Sequence, residues 1–315
     1  MWNYDFSVPK NKQIRLLVYT DCANEADDQY ALAHILMTPK FAVQGIIAGH
    51  FNLNTKMEGY WYKNGETAQA SYDEICKVVQ LMGLEGKYPI ALGASYPLEN
   101  NRTPILSAGA KMIIKEAMKE DERPLFIGCQ GSLTDLASAI LLEPRICEKM
   151  TAIWIGGGDY PKGGFEFNCQ QDILAANVLF SSKMPVWQIP MKVYKTLSVS
   201  LAELQLKVKP CGKIGAYLFS NLIALNEKLA HIPHWPHGEL WGLGDQGVIS
   251  VLMQESERVD NFSMISAPRI DLEDMHYIFE NKNREIRVYH SIDYRLTLED
   301  FFAKLWLNFR KDFYE

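Results

Sequence analysis

Hydrophobic and polar positions in this chain fall into two alternating patterns. Short, nearly unbroken apolar runs predict buried strands at Ile14 to Tyr19, Val43 to Ala48, Pro89 to Gly93, Leu125 to Gly128, Ala152 to Ile155 and Val186 to Ile189. Between them lie stretches with helical spacing. These predict helices at Asp27 to Met37, with Pro39 as a stop, through much of Thr55 to Leu81, and at Ala108 to Lys119, Leu133 to Leu142 and Asp172 to Ser181. Beyond Leu201 the pattern is mainly helical, with a short strand pair around Ile286 to Tyr289 and a C-terminal helix from Leu298.

Strands separated by helices pair in parallel, because a parallel connection needs a long crossover. No repeat, low-complexity tract or Gly/Ser linker interrupts the pattern. The fold class expected is α/β: an open, mostly parallel sheet flanked by helices, with a helical C-terminal part, in one domain over residues 1–315. In such sheets ligands bind beyond the carboxyl ends of the strands. That rule selects the loops 20–28, 49–54, 128–132, 156–168 and 190–196.

Composition narrows the partners. With 32 Lys+Arg against 38 Asp+Glu, the net charge is −6, so the chain lacks the basic footprint that nucleic acids require. No apolar run approaches the ~18 residues of a membrane span, and Met1 to Lys12 does not read as a secretory signal. The six cysteines form neither a CxxC nor a zinc spacing. Reduced thiols in a cytoplasmic protein, with no membrane or nucleic-acid partner, are the expectation.

The excess acid is gathered in one place. Thr20 to Asp28 reads TDCANEADD, with Asp21, Glu25, Asp27 and Asp28 close together. Such a cluster repels itself unless a cation neutralises it, and hard oxygen donors suit Ca²⁺ or Mg²⁺. The ordinary alternative is an acidic helix N-terminus, which the helix dipole favours. Downstream, FIGCQGSLTDLASAILLEP (Phe126 to Pro144) reads as strand, tight turn and helix. WIGGGDYPKGGFEFNCQQD (Trp154 to Asp172) sets Glu166 and Asn168 two apart. WGLGDQGVISVL (Trp241 to Leu252) puts Asp245 at a helix start, where an N-cap is the ordinary reading.

From about Ile14 to Leu252 this constellation resembles the nucleoside hydrolase family. Asp21, Asp27 and Asp28 are similar to three of the four acids of its DxDxxxDD motif. Gly131-Ser132-Leu133-Thr134-Asp135 resembles its GxLTN-type turn, Gly156-Gly157 with Glu166-Phe167-Asn168 its GG…EFN segment, and Gly244-Asp245-Gln246 its HDP-type helix start. The resemblance implies Ca²⁺ as cofactor and hydrolysis of the N-glycosidic bond of a small ribosyl substrate. Carried over residue by residue, it implies Asp28 and Asp245 as metal ligands, Gln130 as a ligand through its carbonyl, Asp27 and Asn52 as ribose contacts, and Glu166 and Asn168 on the ribose 5′ side and 3′ hydroxyl. Family members are commonly dimers or tetramers, so a homodimer or homotetramer is implied.

Two departures matter. The motif's second acid falls on Ala23, as in a divergent branch reading TDxxNExDD. Asn24 or Glu25 is a candidate replacement ligand, and Asp21 a candidate ligand and general base. The HDP-type histidine is replaced by Gly244. For a proton donor to the leaving group, the segment His231 to Trp241 offers His237, with Trp241 as a stacking face for a heterocycle. A hydrolase of the same fold acting on another sugar derivative, or a non-catalytic metal- and sugar-binding protein, are the competing readings.

Overall fold

The computed structural model describes residues 2–52, 61–233, 235–236, 238–254, 260–280 and 283–310. In chain order its elements begin with β1 (Ile14–Thr20), α1 (Asp28–Met37), β2 (Phe41–Ala48), α2 (Thr67–Leu81), β3 (Ile90–Leu92) and α3 (Ala108–Ala117). Next come β4 (Leu125–Gln130), α4 (Thr134–Leu142), β5 (Met150–Ile155), α5 (Phe167–Gln171), α6 (Ile173–Ser181), β6 (Val186–Ile189) and α7 (Met191–Tyr194). They continue with β7 (Ser198–Ser200), α8 (Leu201–Lys207), α9 (Gly212–Lys228), β8 (Leu240–Gly242), α10 (Gly247–Met253) and β9 (Phe262–Ser266). The last are β10 (Arg269–Ile270), β11 (Tyr277–Ile278), β12 (Glu285–Tyr289) and α11 (Tyr294–Phe309).

Among the described residues the main sheet has eight strands in the order β3-β2-β1-β4-β5-β6-β12-β9. Every neighbouring pair is parallel except the edge pair of β12 with β9. Both faces are covered, because alternate residues of each strand feed opposite layers. In β1, Leu16 and Val18 enter one apolar layer with α1, while Leu17 and Tyr19 enter the other with α4. In β5, Ile153 and Ile155 take the first side and Ala152 and Trp154 the second.

The strand order reverses at β1. The chain runs outward through β2 and β3, then returns to lay β4 on the other side of β1. Such a reversal leaves a crevice at the carboxyl ends of the two strands that flank it. Register brings those ends level, since Thr20 pairs with Gln130 on one side and Ala48 on the other. The acid-rich segment begins one residue beyond, so the topology delivers it to the crevice.

Two helix starts differ most from the sequence pattern. Helix α2 begins at Thr67, well inside the stretch expected to be helical, and residues 53–60 of that stretch lie outside the described residues. Gly65, at φ +89°, cannot belong to a right-handed helix, and its N–H bonds instead to Asn52 Oδ1 at 2.8 Å. The C-terminal helix starts at Tyr294 rather than Leu298, because the Asp293 carboxylate accepts from Leu296 N at 2.8 Å and caps it earlier. The strand expected around Ile286 to Tyr289 is β12, and with its partner β9 it extends the main sheet.

Candidate active site

The turn after β1 folds the acids inward. Asn24 N bonds back to the Asp21 carbonyl at 2.8 Å, and helix α1 opens with Asp27 as its N-cap residue and Asp28 in its first turn. The threonine ending β1 donates through Oγ1 to Asp28. From far along the chain, the turn preceding α10 brings Asp245, whose backbone N–H donates to Asp27 Oδ2 at 3.3 Å. Gln130, ending β4, holds that turn by donating Nε2 to the Asp245 carbonyl at 3.1 Å.

The result is a carboxylate group made by Asp27, Asp28 and Asp245, with one oxygen from each lying within 4.8 Å of the others. No Lys, Arg or His among the described residues forms an ion pair with any of the three, or with Asp21. Burial raises all of them, and repulsion by neighbouring carboxylates adds to it at Asp21, Asp28 and Asp245. Burial, then Asp27, pushes Asp28 up to about 8. Burial raises Asp27 to about 6 against the pull of backbone donors. Burial, then Asp27 and Asp28, drives Asp245 well above the carboxylate range. Asp21 is raised in the same way by burial, then by Asp28. A largely buried oxygen-only donor set with no ion-pair partner fits a hard divalent cation.

These groups line a recess of about 70 Å³ together with Asn24, Glu25, Gln130, Glu166 and Asn168. Glu166 sits at the N-terminus of α5 and accepts four bonds: from Gly157 N at 2.7 Å, Cys169 N at 2.9 Å, Asn168 N at 3.1 Å and Tyr194 Oη at 2.8 Å. Asn168 donates Nδ2 to the Ile155 carbonyl at 2.9 Å, which ties the recess to the end of β5. Asn24 donates Nδ2 to Asp21 Oδ2 at 3.3 Å. Gln130 keeps a buried Oε1 with no hydrogen-bond partner among the described residues.

The recess opens into a larger chamber of about 560 Å³, whose walls include Trp61, Phe165, Phe167, Trp235 and Trp241. The Trp235 and Trp241 rings lie 5.6 Å apart. Asn24, Glu25, Asp27, Phe167, Tyr194 and Gly244 line both cavities.

The structure thus gathers Asp21, Asn24, Asp27, Asp28, Gln130, Glu166, Asn168 and Asp245 in one recess and puts Trp241 in the adjoining chamber. It places Asp27, expected as a ribose contact, within the carboxylate group, and leaves Asp21 outside it. Asn52 lines neither cavity. Its amide donates to the Ser95 carbonyl and accepts from Gly65 N and Thr67 Oγ1, both at 2.8 Å, bracing the loop that leads to α2. His237 lies outside the described residues. His50 is buried against Thr134 Oγ1 at 2.8 Å, and Asp172 caps α6. Sequence reasoning passed over Tyr194 and Phe165, since an aromatic after a strand carries no signal of what faces it.

Comparison with known proteins gives the family and the fold. A family profile described as inosine-uridine preferring nucleoside hydrolase matches residues 16–293. The inosine-uridine preferring nucleoside hydrolase of Crithidia fasciculata is 30% identical over 101 residues, 31% of this chain and 31% of that protein. Its counterpart in Leishmania major is 26% identical over 152 residues, 46% of this chain and 48% of that protein. These alignments span about a third to a half of the relatives' length. Among solved structures, a purine-preferring ribonucleoside hydrolase from Gardnerella vaginalis superposes with a TM-score of 0.73 at 17% identity, covering 92% of this chain and 98% of that one. The type III effector protein XopQ, solved with adenosine diphosphate ribose, gives 0.65 at 14% identity, covering 94% of each chain. At such identities the superpositions speak for the fold. The profile match runs from within β1 to the residue before α11 and takes in both segments that build the carboxylate group: the chain belongs to the nucleoside hydrolase family.

Proposed function

We propose that this chain hydrolyses the N-glycosidic bond of a ribonucleoside or related ribosyl compound, with Ca²⁺ as its resident ion. The observation that carries this reading is the uncompensated carboxylate group of half-buried Asp27 with buried Asp28 and Asp245, in a recess that opens into an aromatic chamber. Those three residues would hold the ion, with the Gln130 carbonyl, Asn24 and Asp21 as neighbouring oxygen donors. Ca²⁺ tolerates such a crowded oxygen set better than Mg²⁺ does. When bound, a divalent cation acidifies a water molecule and grips vicinal hydroxyls.

The remaining work falls to the chain's own groups. Asp21, enclosed in the recess and outside the three-carboxylate group, takes the proton of the attacking water. Glu166 and Asn168, fixed by the bonds described above, hold the ribose, and Asp27 faces its hydroxyls. Cleavage passes through an oxocarbenium-like state, whose positive charge the ring of carboxylates favours. The C1′–N bond breaks with its electron pair going to the heterocycle, which leaves into the chamber against Trp241. His237 is the donor that protonates it. The ADP-ribose held by XopQ supports a ribosyl ligand on this fold. Six cysteines outside any disulfide fit a reducing compartment such as the cytoplasm, and assembly as a homodimer or homotetramer completes the reading.

The test is release of reducing sugar from a nucleoside panel, with Ca²⁺ and after chelation. Release that depends on the ion is expected. No release from any nucleoside in the presence of Ca²⁺ overturns the nucleoside reading, and ribose binding without release would favour a non-catalytic sugar-binding protein.

A further inference from the structure

Position 244 carries glycine for want of space. Gly244 does not adopt a positive φ, so its backbone makes no demand for glycine. A Cβ there, however, would sit 2.8 Å from Cδ2 of Tyr194, closer than real Cβ atoms come to a neighbour. The Tyr194 ring therefore occupies the volume that a side chain at 244 would need.

That ring is held from both ends. Tyr194 closes the single turn of α7, with its N–H bonded to the Pro190 carbonyl at 3.2 Å and its carbonyl accepting from Leu197 N at 3.0 Å. At its far end the hydroxyl donates to Glu166 Oε1 at 2.8 Å. Burial, reinforced by the Glu166 carboxylate, lifts the phenol far above its usual range, so it stays protonated as a donor. Tyr194 also lines both the carboxylate recess and the aromatic chamber.

We propose that Tyr194 is a specificity-determining residue of this site, its ring forming the wall between sugar recess and leaving-group chamber and its hydroxyl fixing the Glu166 carboxylate. The proposal rests on the hydrolase reading above and sharpens its substrate class. A rigid aromatic wall at the mouth of the recess, sharing the lining of the chamber with Trp241 and Trp235, suits a flat heteroaromatic leaving group. The ring also prevents any side chain at 244 from reaching the scissile bond, so discrimination at this point is by shape.

The experiment compares the full-length wild type with Tyr194→Phe, Tyr194→Leu and Tyr194→Ala, all with Ca²⁺. One readout is quenching of tryptophan fluorescence by free hypoxanthine, which reports on the chamber without turnover. The other is kcat and KM for inosine and for p-nitrophenyl riboside. Tyr194→Phe keeps the ring and should leave quenching unchanged, while losing one bond to a carboxylate should raise KM for both ribosides roughly tenfold with kcat nearly constant. Tyr194→Leu and Tyr194→Ala should weaken hypoxanthine binding roughly tenfold, the scale of one lost aromatic contact, and narrow the preference between the two ribosides. Quenching and riboside preference that stay at wild-type values in Tyr194→Ala would overturn the proposal. So would losses in all three variants that merely follow a fall in melting temperature. A wild type that binds hypoxanthine but turns over no riboside, with binding lost in Tyr194→Ala, would overturn the hydrolase reading and leave the wall standing.

Discussion

Nδ1 of His34 lies 2.6 Å from Oε1 of Gln246, joining the middle of α1 to the residue that follows Asp245. On its other side, Nε2 of the same imidazole meets Asp300 Oδ2 of α11 at 2.8 Å, and Lys304 closes the chain by bonding both Asp300 and Thr38. Burial is the largest influence on His34 and lowers its pKa. A neutral ring satisfies both contacts if Nε2–H donates to Asp300 and the Gln246 amide is turned over. Its nitrogen, which has no other partner among the described residues, then donates to Nδ1.

This buried chain couples the two segments that carry the carboxylate group. His34→Leu should therefore leave Gln246 unpaired in the interior and destabilise the fold by roughly 1–3 kcal/mol. It should also weaken Ca²⁺ binding, although His34 touches no ligand. Urea unfolding with and without Ca²⁺ measures both effects. An unchanged Ca²⁺ increment in His34→Leu would show that the two segments are held in register by other contacts.

Asp28 should cost stability when no ion is present and supply it when one is. Its carboxylate is raised to about 8 by burial and by Asp27, so ionising it at neutral pH is uphill. Asp28→Asn keeps an oxygen for the Thr20 hydroxyl and removes the charge. The ion-free variant should melt above the ion-free wild type. Ca²⁺ at about 100 times its Kd should stabilise the wild type by about 3 kcal/mol and the variant by little. Equal Ca²⁺ gains in both proteins would remove Asp28 from the ligand set.

The same acids set a pH dependence. Asp27, Asp28 and Glu25 stand at about 6, 8 and 8, above their ordinary values, chiefly through burial. A carboxylate raised on folding contributes stability below its unfolded pKa and loses that contribution as pH climbs through its folded one. The ion-free protein should thus weaken between about pH 5 and 8, while Ca²⁺, which needs these groups deprotonated, should stabilise it progressively more across the same window. Differential scanning calorimetry at several pH values decides the matter. A Ca²⁺-induced shift in melting temperature that stays flat or shrinks with rising pH would contradict this origin.

Much of this was legible in the chain because it is encoded locally. The runs at Leu16, Ile46, Ile127 and Ile153 are continuous and apolar, as strands covered on both faces must be, and they are strands. Strand β9 was not, since Phe262–Ser266 is short, mixes apolar with polar residues and lies at the sheet edge with no residue fully buried, so no continuous apolar run is required there. The acid cluster after β1 announced a charged loop. What it could not announce was that Asp27 turns toward Asp245 while Asp21 turns toward Asn24, because that choice is made by the distant turn before α10. Tyr194 had no local signal at all: its place follows from Gly244 and Glu166, neither near it in sequence.

Glu166 tests how closely the sugar side is built. Four donors converge on its carboxylate, three of them backbone N–H groups. Glu166→Gln sets an amide NH₂ against donors and so leaves at least one buried group unpaired, a loss of roughly 1–3 kcal/mol. The melting temperature should fall and KM for ribosides should rise. A variant that melts like the wild type with unaltered KM would mean that the carboxylate charge is dispensable here.

Asp21 is the residue on which the missing acid at Ala23 turns. It is buried in the recess beside the three-carboxylate group, so it can serve either as a ligand or as the base for the attacking water. Asp21→Asn separates the two, because an amide can still coordinate through oxygen yet cannot accept the proton. If Asp21 is the base, kcat should fall roughly 10²- to 10⁴-fold, with KM and the Ca²⁺-induced rise in melting temperature both retained. If the rise is lost along with activity, Asp21 is a ligand and the base must be sought elsewhere. Retained activity in Asp21→Asn would exclude the catalytic role outright, and would place proton abstraction on another carboxylate of the recess, of which Glu25, lining both cavities, is the next to test.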